Sequence, residues 1–213
     1  MPVYTQAIPV FPNPAVRFLF IHIPRTAGRF FEKNILLNGL HLEDSSKSPI
    51  DEDGNSVELR HLAHGQYEKY YSVSGIPHIT IVRNAVDRFI SCSIFLKRMY
   101  GDDIQEAMED PIMFGTMLQN FPLPQAFNWF RPQMDFITSE TQIWKLEDGF
   151  GEDFEEFVSG VLGMEFKIKD VPYDKLDTDE TKRLEKSDKL IDNIRAIYRR
   201  DYEQLYPELA ASF

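Results

Sequence analysis

An α/β fold with a central parallel β-sheet flanked by helices is predicted by three observations. Two almost wholly apolar runs, residues 16–23 (VRFLFIHI) and 77–83 (PHITIVR), have the composition of strands buried on both faces. Each runs directly into a helical pattern. A third run, 141–146 (TQIWKL), is followed by another helix, and alternation of this kind implies βαβ units. Ligands of such sheets sit at the carboxyl ends of the strands, so the strand-to-helix turns are where chemistry is expected.

The elements follow in order. At 213 residues the chain fits one domain over 1–213, with 1–16 as an N-terminal arm. After Gly28 the apolar residues Phe31, Ile35, Leu36 and Leu40 are spaced for one face of a helix, which Gly39 ends. Residues 43–56 (EDSSKSPIDEDGNS) are polar and turn-rich and predict an exposed loop. Asn84 is a good N-cap for a helix carrying Val86, Phe89, Ile90, Ile94 and Met99, with Asp87 in its first turn. Cys92 in that helix is read as a small core residue. Pro111, Pro122, Pro124 and Pro132 break any long element over 101–135. Residues 154–162 form a short helix ended by Gly163. From Thr178 a helical pattern of Leu184, Ile191, Ile194, Tyr198, Tyr202 and Leu205 runs to Pro207.

Composition narrows the function. A 43% hydrophobic and 13% aromatic content is that of a globular chain rather than a disordered one. No apolar run approaches the ~20 residues that span a bilayer, and no charged-then-apolar leader is present, so neither membrane insertion nor a signal peptide is expected. The single cysteine excludes an intrachain disulfide framework and implies a reducing, cytoplasmic setting. The net charge of −11 argues against nucleic acid as a partner. Residues 1–100 hold 11 Lys and Arg against 9 Asp and Glu, a balance of +2, whereas 101–213 hold 12 against 25, a balance of −13. An anionic ligand therefore belongs in the N-terminal half.

The turn IHIPRTAGRF (21–30) has the parts of an anion site. Phosphate at a strand-to-helix turn needs free backbone N–H groups, small residues that permit approach, and a cation. Thr26, Ala27 and Gly28 supply small residues and a hydroxyl, and Arg25 and Arg29 supply charge. It is not a Walker A loop, because GxxxxGK[ST] occurs nowhere in the chain. The second turn, ITIVRNAVDRFISCSIFL (79–96), sets Arg83 at a strand end and Ser91 eight residues later within the helix. Together the two turns can address two phosphates of one nucleotide.

This pair of motifs resembles the sulfotransferase family that uses 3′-phosphoadenosine 5′-phosphosulfate (PAPS). The first looks like the family's 5′-phosphosulfate loop, PKTxxTS, and the second like its 3′-phosphate motif, VRDPxxRxxSxY. HLAHGQYEKYY (61–71) resembles the histidine-bearing segment of the carbohydrate branch that includes heparan sulfate 2-O-sulfotransferase, and FLKRMYGDD (95–103) continues that likeness. IWKLEDGFGEDFEEF (143–157) and IRAIYRRDYEQLYPE (194–208) resemble the family's later strand, acidic turn and closing helix. The likeness covers most of residues 17–207. It departs where the loop lysine is Arg25, where the last loop hydroxyls are Arg29 and Phe30, and where Asp-Pro is Asn84-Ala85.

The resemblance implies a P-loop-like sulfotransferase architecture and PAPS as cofactor, with no metal. It implies that Arg25, Thr26, Ala27, Gly28, Arg29 and Phe30 hold the 5′ end and that Arg83 and Ser91 hold the 3′-phosphate. Sulfuryl transfer to a hydroxyl also needs a base and a cation at the sulfuryl group. Histidine suits the first role because it titrates near neutral pH. His64 is favoured as the base, since Tyr67 follows at the family's spacing, with His61 in reserve and Arg25 as the cation. His22 and His78 lie within strands and are read as packed or hydrogen-bonded. Arg88 is read equally as an ion-pair former or a ligand contact, and Lys145 and Glu147 as surface residues or nucleotide neighbours. The aromatics of FPLPQAFNWFRPQ (121–133) and the arginines 195, 199 and 200 are read first as packing and as surface charge. The acceptor is expected to be a hydroxyl of a carbohydrate or a small alcohol. Two other readings stand beside this one: a nucleotide or nucleoside phosphotransferase, and a PAPS-binding protein weakened in catalysis by Arg25.

Overall fold

The computed structural model describes residues 3–6, 17–43, 61–68, 73–100, 127–170 and 188–211. Its elements, in chain order, begin with β1 (Val3–Gln6), β2 (Arg17–Ile21), α1 (Gly28–Leu37), β3 (Leu40–Glu43), α2 (His64–Tyr67), β4 (His78–Val82) and α3 (Ala85–Tyr100). After these come α4 (Phe127–Phe130), a 3-10 turn (Gln133–Asp135), β5 (Thr141–Lys145), a second 3-10 turn (Leu146–Asp148) and α5 (Glu152–Leu162). The chain closes with α6 (Asp188–Ile197), α7 (Arg199–Leu205) and α8 (Pro207–Ala210). The elements divide into two compact units, one holding the sheet with α1, α2 and α5, the other holding α3, α4 and α6–α8.

In the first unit the strand order is β3-β1-β2-β4-β5. β2, β4 and β5 are parallel, in the registers Leu19↔His78 and Ile81↔Trp144, so the predicted parallel core of neighbouring strands is present. The sheet as a whole is mixed. β1 pairs antiparallel with both β2 and β3, so part of the expected N-terminal arm is a strand, and β3 takes in Glu43, the first residue of the loop expected over 43–56. The rest of that loop, 44–56, and residues 7–16 of the arm lie outside the described residues, as do 57–60, 101–126 and 171–187.

The all-apolar strands are buried on both faces, as their composition demands. Phe18, Phe20, Ile79 and Ile81 form one core with Phe31 and Ile35 of α1, Phe154, Val158 and Leu162 of α5, and Phe166. Phe31 sits edge-on to Phe20 at 4.8 Å and to Phe154 at 5.5 Å. Leu19, Ile21 and Val82 on the opposite face have no exposure. Thr80 is polar in this setting, and its hydroxyl donates to the Ile21 carbonyl at 2.7 Å. α1 ends at Leu37, so Leu40 enters the core from β3, while Leu36, expected on the buried face, is 45% exposed.

α5 starts with Glu152, Asp153 and Glu155 against the positive end of its dipole and stops at Gly163 in the left-handed region, as predicted. The segment after it is fastened to α1 by two asparagines. Asn38 donates to the Lys167 carbonyl and accepts from its N–H, and Asn34 accepts from the N–H of Lys169. Glu155 closes the same segment, accepting from Lys167 Nζ and from the Ile168 N–H, both at 2.8 Å.

The second unit is organised by buried polar groups. Asn84 caps α3, its Oδ1 accepting from Val86 N at 3.0 Å and from the Tyr202 hydroxyl at 3.3 Å. Gln133 mimics a strand partner, accepting from Arg83 N and donating to the Arg83 carbonyl. Asp201, fully buried on α7, accepts from the N–H groups of Gln133 and Met134 at 2.8 and 3.0 Å. Burial pushes its carboxyl above the usual range, against those two N–H groups and the Arg88 guanidinium, which pull it down. Arg88 is 1% exposed and donates to the Trp129 carbonyl, which gives it a structural place. Cys92 is buried and donates to that same carbonyl. Phe130 packs on Phe89, and Trp129 stacks on Phe95 at 4.5 Å, as expected for aromatics that pack. The closing helix breaks at Tyr198, whose hydroxyl donates to the Phe130 carbonyl. Arg195, Arg199 and Arg200 make partly or fully exposed ion pairs with Asp192, Glu203 and Asp135.

Replacing Asp201 by alanine strands two N–H groups and removes the carboxylate that faces Arg88, so denaturant unfolding should show a loss of about 3 kcal/mol or more. A second expectation concerns pH. The hydrogen bond to Lys167, then that from Ile168 N, holds the Glu155 carboxyl below its ordinary 4.5. The bond to Glu155 raises Lys167 above its ordinary 10.5. The pair therefore contributes above pH 4.5 and is lost as pH falls through the lowered Glu155 value. At the other end it contributes below pH 10.5 and is lost as pH rises through the raised Lys167 value. Thermal midpoints of the parent and of Glu155→Gln should differ between those limits and meet in acid.

Candidate functional site

β2 ends at Ile21, level with Thr80 of β4, and both parallel strands deliver their chains from the same edge of the sheet. Only six residues then separate Ile21 from α1 at Gly28. The turn is made by placing Arg25 at φ 66° and Ala27 at φ 67°, a left-handed conformation that side chains bearing Cβ disfavour. Thr26, fully buried between them, donates its hydroxyl to the Ile23 carbonyl at 2.9 Å and so holds the turn closed.

The start of α1 is unusual in its polar accounting. Its N-cap is Ala27, which has no side-chain oxygen to offer, and its first turn holds no acidic residue. Phe30 N and Phe31 N both reach the Ala27 carbonyl. Among the described residues, the N–H groups of Thr26, Ala27, Gly28 and Arg29 meet no acceptor. Arg29 stands exposed within this positive helix end, where a cation is unfavourable without a compensating anion. Two strained residues, an uncapped helix and a misplaced cation share one turn, which is the pattern of strain stored at a functional site. The donor set fits an oxyanion: successive N–H groups, a helix start and two guanidinium groups.

Beside the turn lies a cluster that joins His61, the reserve base, and His22, read as packed or hydrogen-bonded, to Glu32, which no motif singled out. His22 is 4% exposed, and its Nδ1 lies 2.8 Å from Oε1 of Glu32 on α1, itself 8% exposed. A carboxylate only accepts, so Nδ1 carries the proton. His61 Nδ1 donates to the His22 carbonyl at 2.9 Å, and the two rings meet edge-on at 4.7 Å. Gly28 lies against the His22 ring: a Cβ there would fall 2.1 Å from both Cδ2 and Nε2. Glycine is required at this position for space, not for φ.

The predicted site residues thus separate. Arg25, Thr26, Ala27, Gly28, Arg29 and Phe30 form the turn, with Thr26 buried and its hydroxyl engaged by the Ile23 carbonyl; Phe30 stacks on Phe150 at 4.6 Å. His61 joins through His22. His64 opens the one-turn α2, its side chain 42% exposed and 3.7 Å from Glu68. Arg83 and Ser91 belong to the other unit. Arg83 is half-buried with its backbone held by Gln133, and Ser91 is 4% exposed on α3. Lys145 is half-buried at the end of β5, and Glu147 is exposed. His78 Nε2 donates to the Val73 carbonyl, in line with a packed strand histidine. His22 and Glu32 were hidden because they are ten residues apart and join different elements. Among the described residues no group of His, Cys, Asp or Glu is arranged to hold a metal ion, and no helix is long and apolar enough to cross a membrane.

Compared with models of known families, with curated proteins and with solved structures, the chain finds no match.

Gly28→Ala should destabilise the chain by about 1–3 kcal/mol, since the added methyl overlaps a ring pinned by Glu32. In a His22→Ala background most of that penalty should vanish, and chemical denaturation of the four proteins in this double-mutant cycle measures the coupling.

Proposed function

We propose that the chain is a PAPS-dependent sulfotransferase that transfers a sulfuryl group to a hydroxyl of a carbohydrate or small alcohol. The observation that carries the reading is the β2–α1 turn, where four successive N–H groups with no acceptor among the described residues stand at a helix start flanked by two arginines. The motif likeness assigns this turn to the 5′ end of the nucleotide and Arg83 with Ser91 to its 3′-phosphate.

PAPS, when bound, supplies an activated sulfuryl group on a phosphate leaving group. The residues of the chain have the remaining tasks. The N–H groups of Thr26 to Arg29 bind anionic oxygens without reorganising, because the backbone already fixes their direction. Arg25 and Arg29 add charge where it grows as the leaving oxygen departs. Arginine holds that charge but does not readily give up a proton, so Arg25 acts electrostatically and the leaving oxygen departs unprotonated. Gly28 lets α1 begin against the His22 ring. Arg83 suits a bidentate grip on a phosphate, with Ser91 as a hydroxyl donor. The −13 balance of residues 101–213 disfavours a densely sulfated polyanion as acceptor and leaves neutral glycans and small alcohols.

Thermal shift and calorimetry with the desulfated nucleotide PAP, with AMP and with ATP test this reading. PAP should bind in preference to both, and Arg83→Ala should weaken PAP by about 2–4 kcal/mol, or roughly 30- to 1,000-fold. Ser91→Ala should cost about 1 kcal/mol. AMP, which lacks the 3′-phosphate, should respond little to either change. Equal PAP affinity in Arg83→Ala would remove the assignment, and a preference for ATP would turn the reading to a phosphotransferase.

A further inference from the structure

Resting on the sulfuryl-transfer reading, the geometry points to His22, oriented by Glu32, as the base that takes the proton of the acceptor hydroxyl, in place of His64. Four histidines are described in enough detail to compare. His78 lies at the first residue of β4, the opposite end of the strand from the turn. His64 stands half-exposed on a single helical turn, 3.7 Å from the exposed Glu68 carboxylate. His61 gives its Nδ1 proton to the His22 carbonyl.

His22 has the arrangement of a working base. It is the first residue beyond β2, at the carboxyl end of the strand and at the root of the turn. Its Nδ1 proton is committed to a buried carboxylate, which fixes the tautomer and leaves the lone pair on Nε2. Among the described residues Nε2 meets no hydrogen-bond partner. What sets this ring apart among the described histidines is the buried carboxylate that holds its Nδ1 at the root of the turn. The ring cannot wander: Phe20 stacks on it at 5.4 Å, His61 meets it edge-on, and Gly28 lies against it. A carboxylate orienting the far nitrogen of an imidazole is the relation between orienter and base in hydrolytic triads.

The step balances without redox change. The acceptor O–H proton passes to Nε2, the freed oxygen pair forms the new O–S bond, and the S–O bond to the 5′-phosphate breaks with its pair on the phosphate oxygen. Glu32 stabilises the imidazolium, which then returns the proton to water.

Two measurements test the assignment. Diethyl pyrocarbonate acylates an open, unprotonated imidazole nitrogen, and peptide mass spectrometry of the treated full chain should find His22 modified, with PAP slowing the reaction. For turnover of labelled PAPS, His22→Asn keeps a donor toward Glu32 but has no base. It should retain PAP affinity while losing roughly 10²–10⁴ in rate. Glu32→Gln should also lower the rate, with PAP affinity retained. An unmodified His22 in the free chain would overturn the proposal, as would parent-like turnover in His22→Asn alongside a collapse in His64→Ala. Should His22→Asn fail to fold, His22→Gln and the labelling result decide. Failure of the parent to bind PAP would remove the sulfotransferase reading and this assignment together, whereas PAP binding with an unimpaired His22 variant removes the assignment alone.

Discussion

The close approach of Gly28 to the His22 ring is the constraint on which the rest of the candidate site depends. It sets where α1 can begin. Six residues separate the end of β2 from α1, and the connection carries left-handed φ at Arg25 and Ala27. The same approach brings Glu32, one turn along α1, within reach of His22 Nδ1. The hydrogen bond that results holds the ring in the place that demands glycine. Sterics, backbone strain and the buried carboxylate–imidazole pair are therefore one feature.

The second unit reaches rigidity by another route. Its segments are joined by backbone groups answered by side chains: Gln133 for Arg83, Asn84 for the first turn of α3, and Asp201 for the turn at Gln133. Such a network is costly to leave half-made, so each member keeps the others in place. One consequence is that Arg83 leaves β4 with its main chain fixed on both sides, by Gln133 Oε1 and Gln133 Nε2. A phosphate ligand meeting Arg83 would find a guanidinium whose backbone needs no ordering, which is how binding avoids an entropic penalty.

The parallel core was legible because β2, β4 and β5 declare themselves through apolar runs that end in turn chemistry. β1 and β3 were not, since four-residue strands such as VYTQ and LHLE carry too little pattern to separate from loop. The asparagine cap of α3 and the glycine stop of α5 were readable as local chemistry. Leu36 was misplaced because adjacent apolar residues at the end of a helix cannot both face the core. The turn at 24–29 could be recognised by residue type, but its meaning could not. Left-handed φ at two non-glycine residues has no sequence signature, and neither has a histidine in a strand whose partner arrives ten residues later from a helix. The tertiary pairing of His22 with Glu32 supplied the partner for a residue read only as packed or hydrogen-bonded, and made it the best-oriented imidazole of the described chain.

The central claim is that the β2–α1 turn is an anion cradle for the 5′ end of a nucleotide. Backbone amide NMR during a PAP titration tests it most directly, because the claim concerns four named N–H groups. The account predicts that the amide protons of Thr26, Ala27, Gly28 and Arg29 move downfield together and saturate at one PAP concentration, as free donors acquire a charged acceptor. Saturable PAP binding that leaves those four resonances where they were would contradict it.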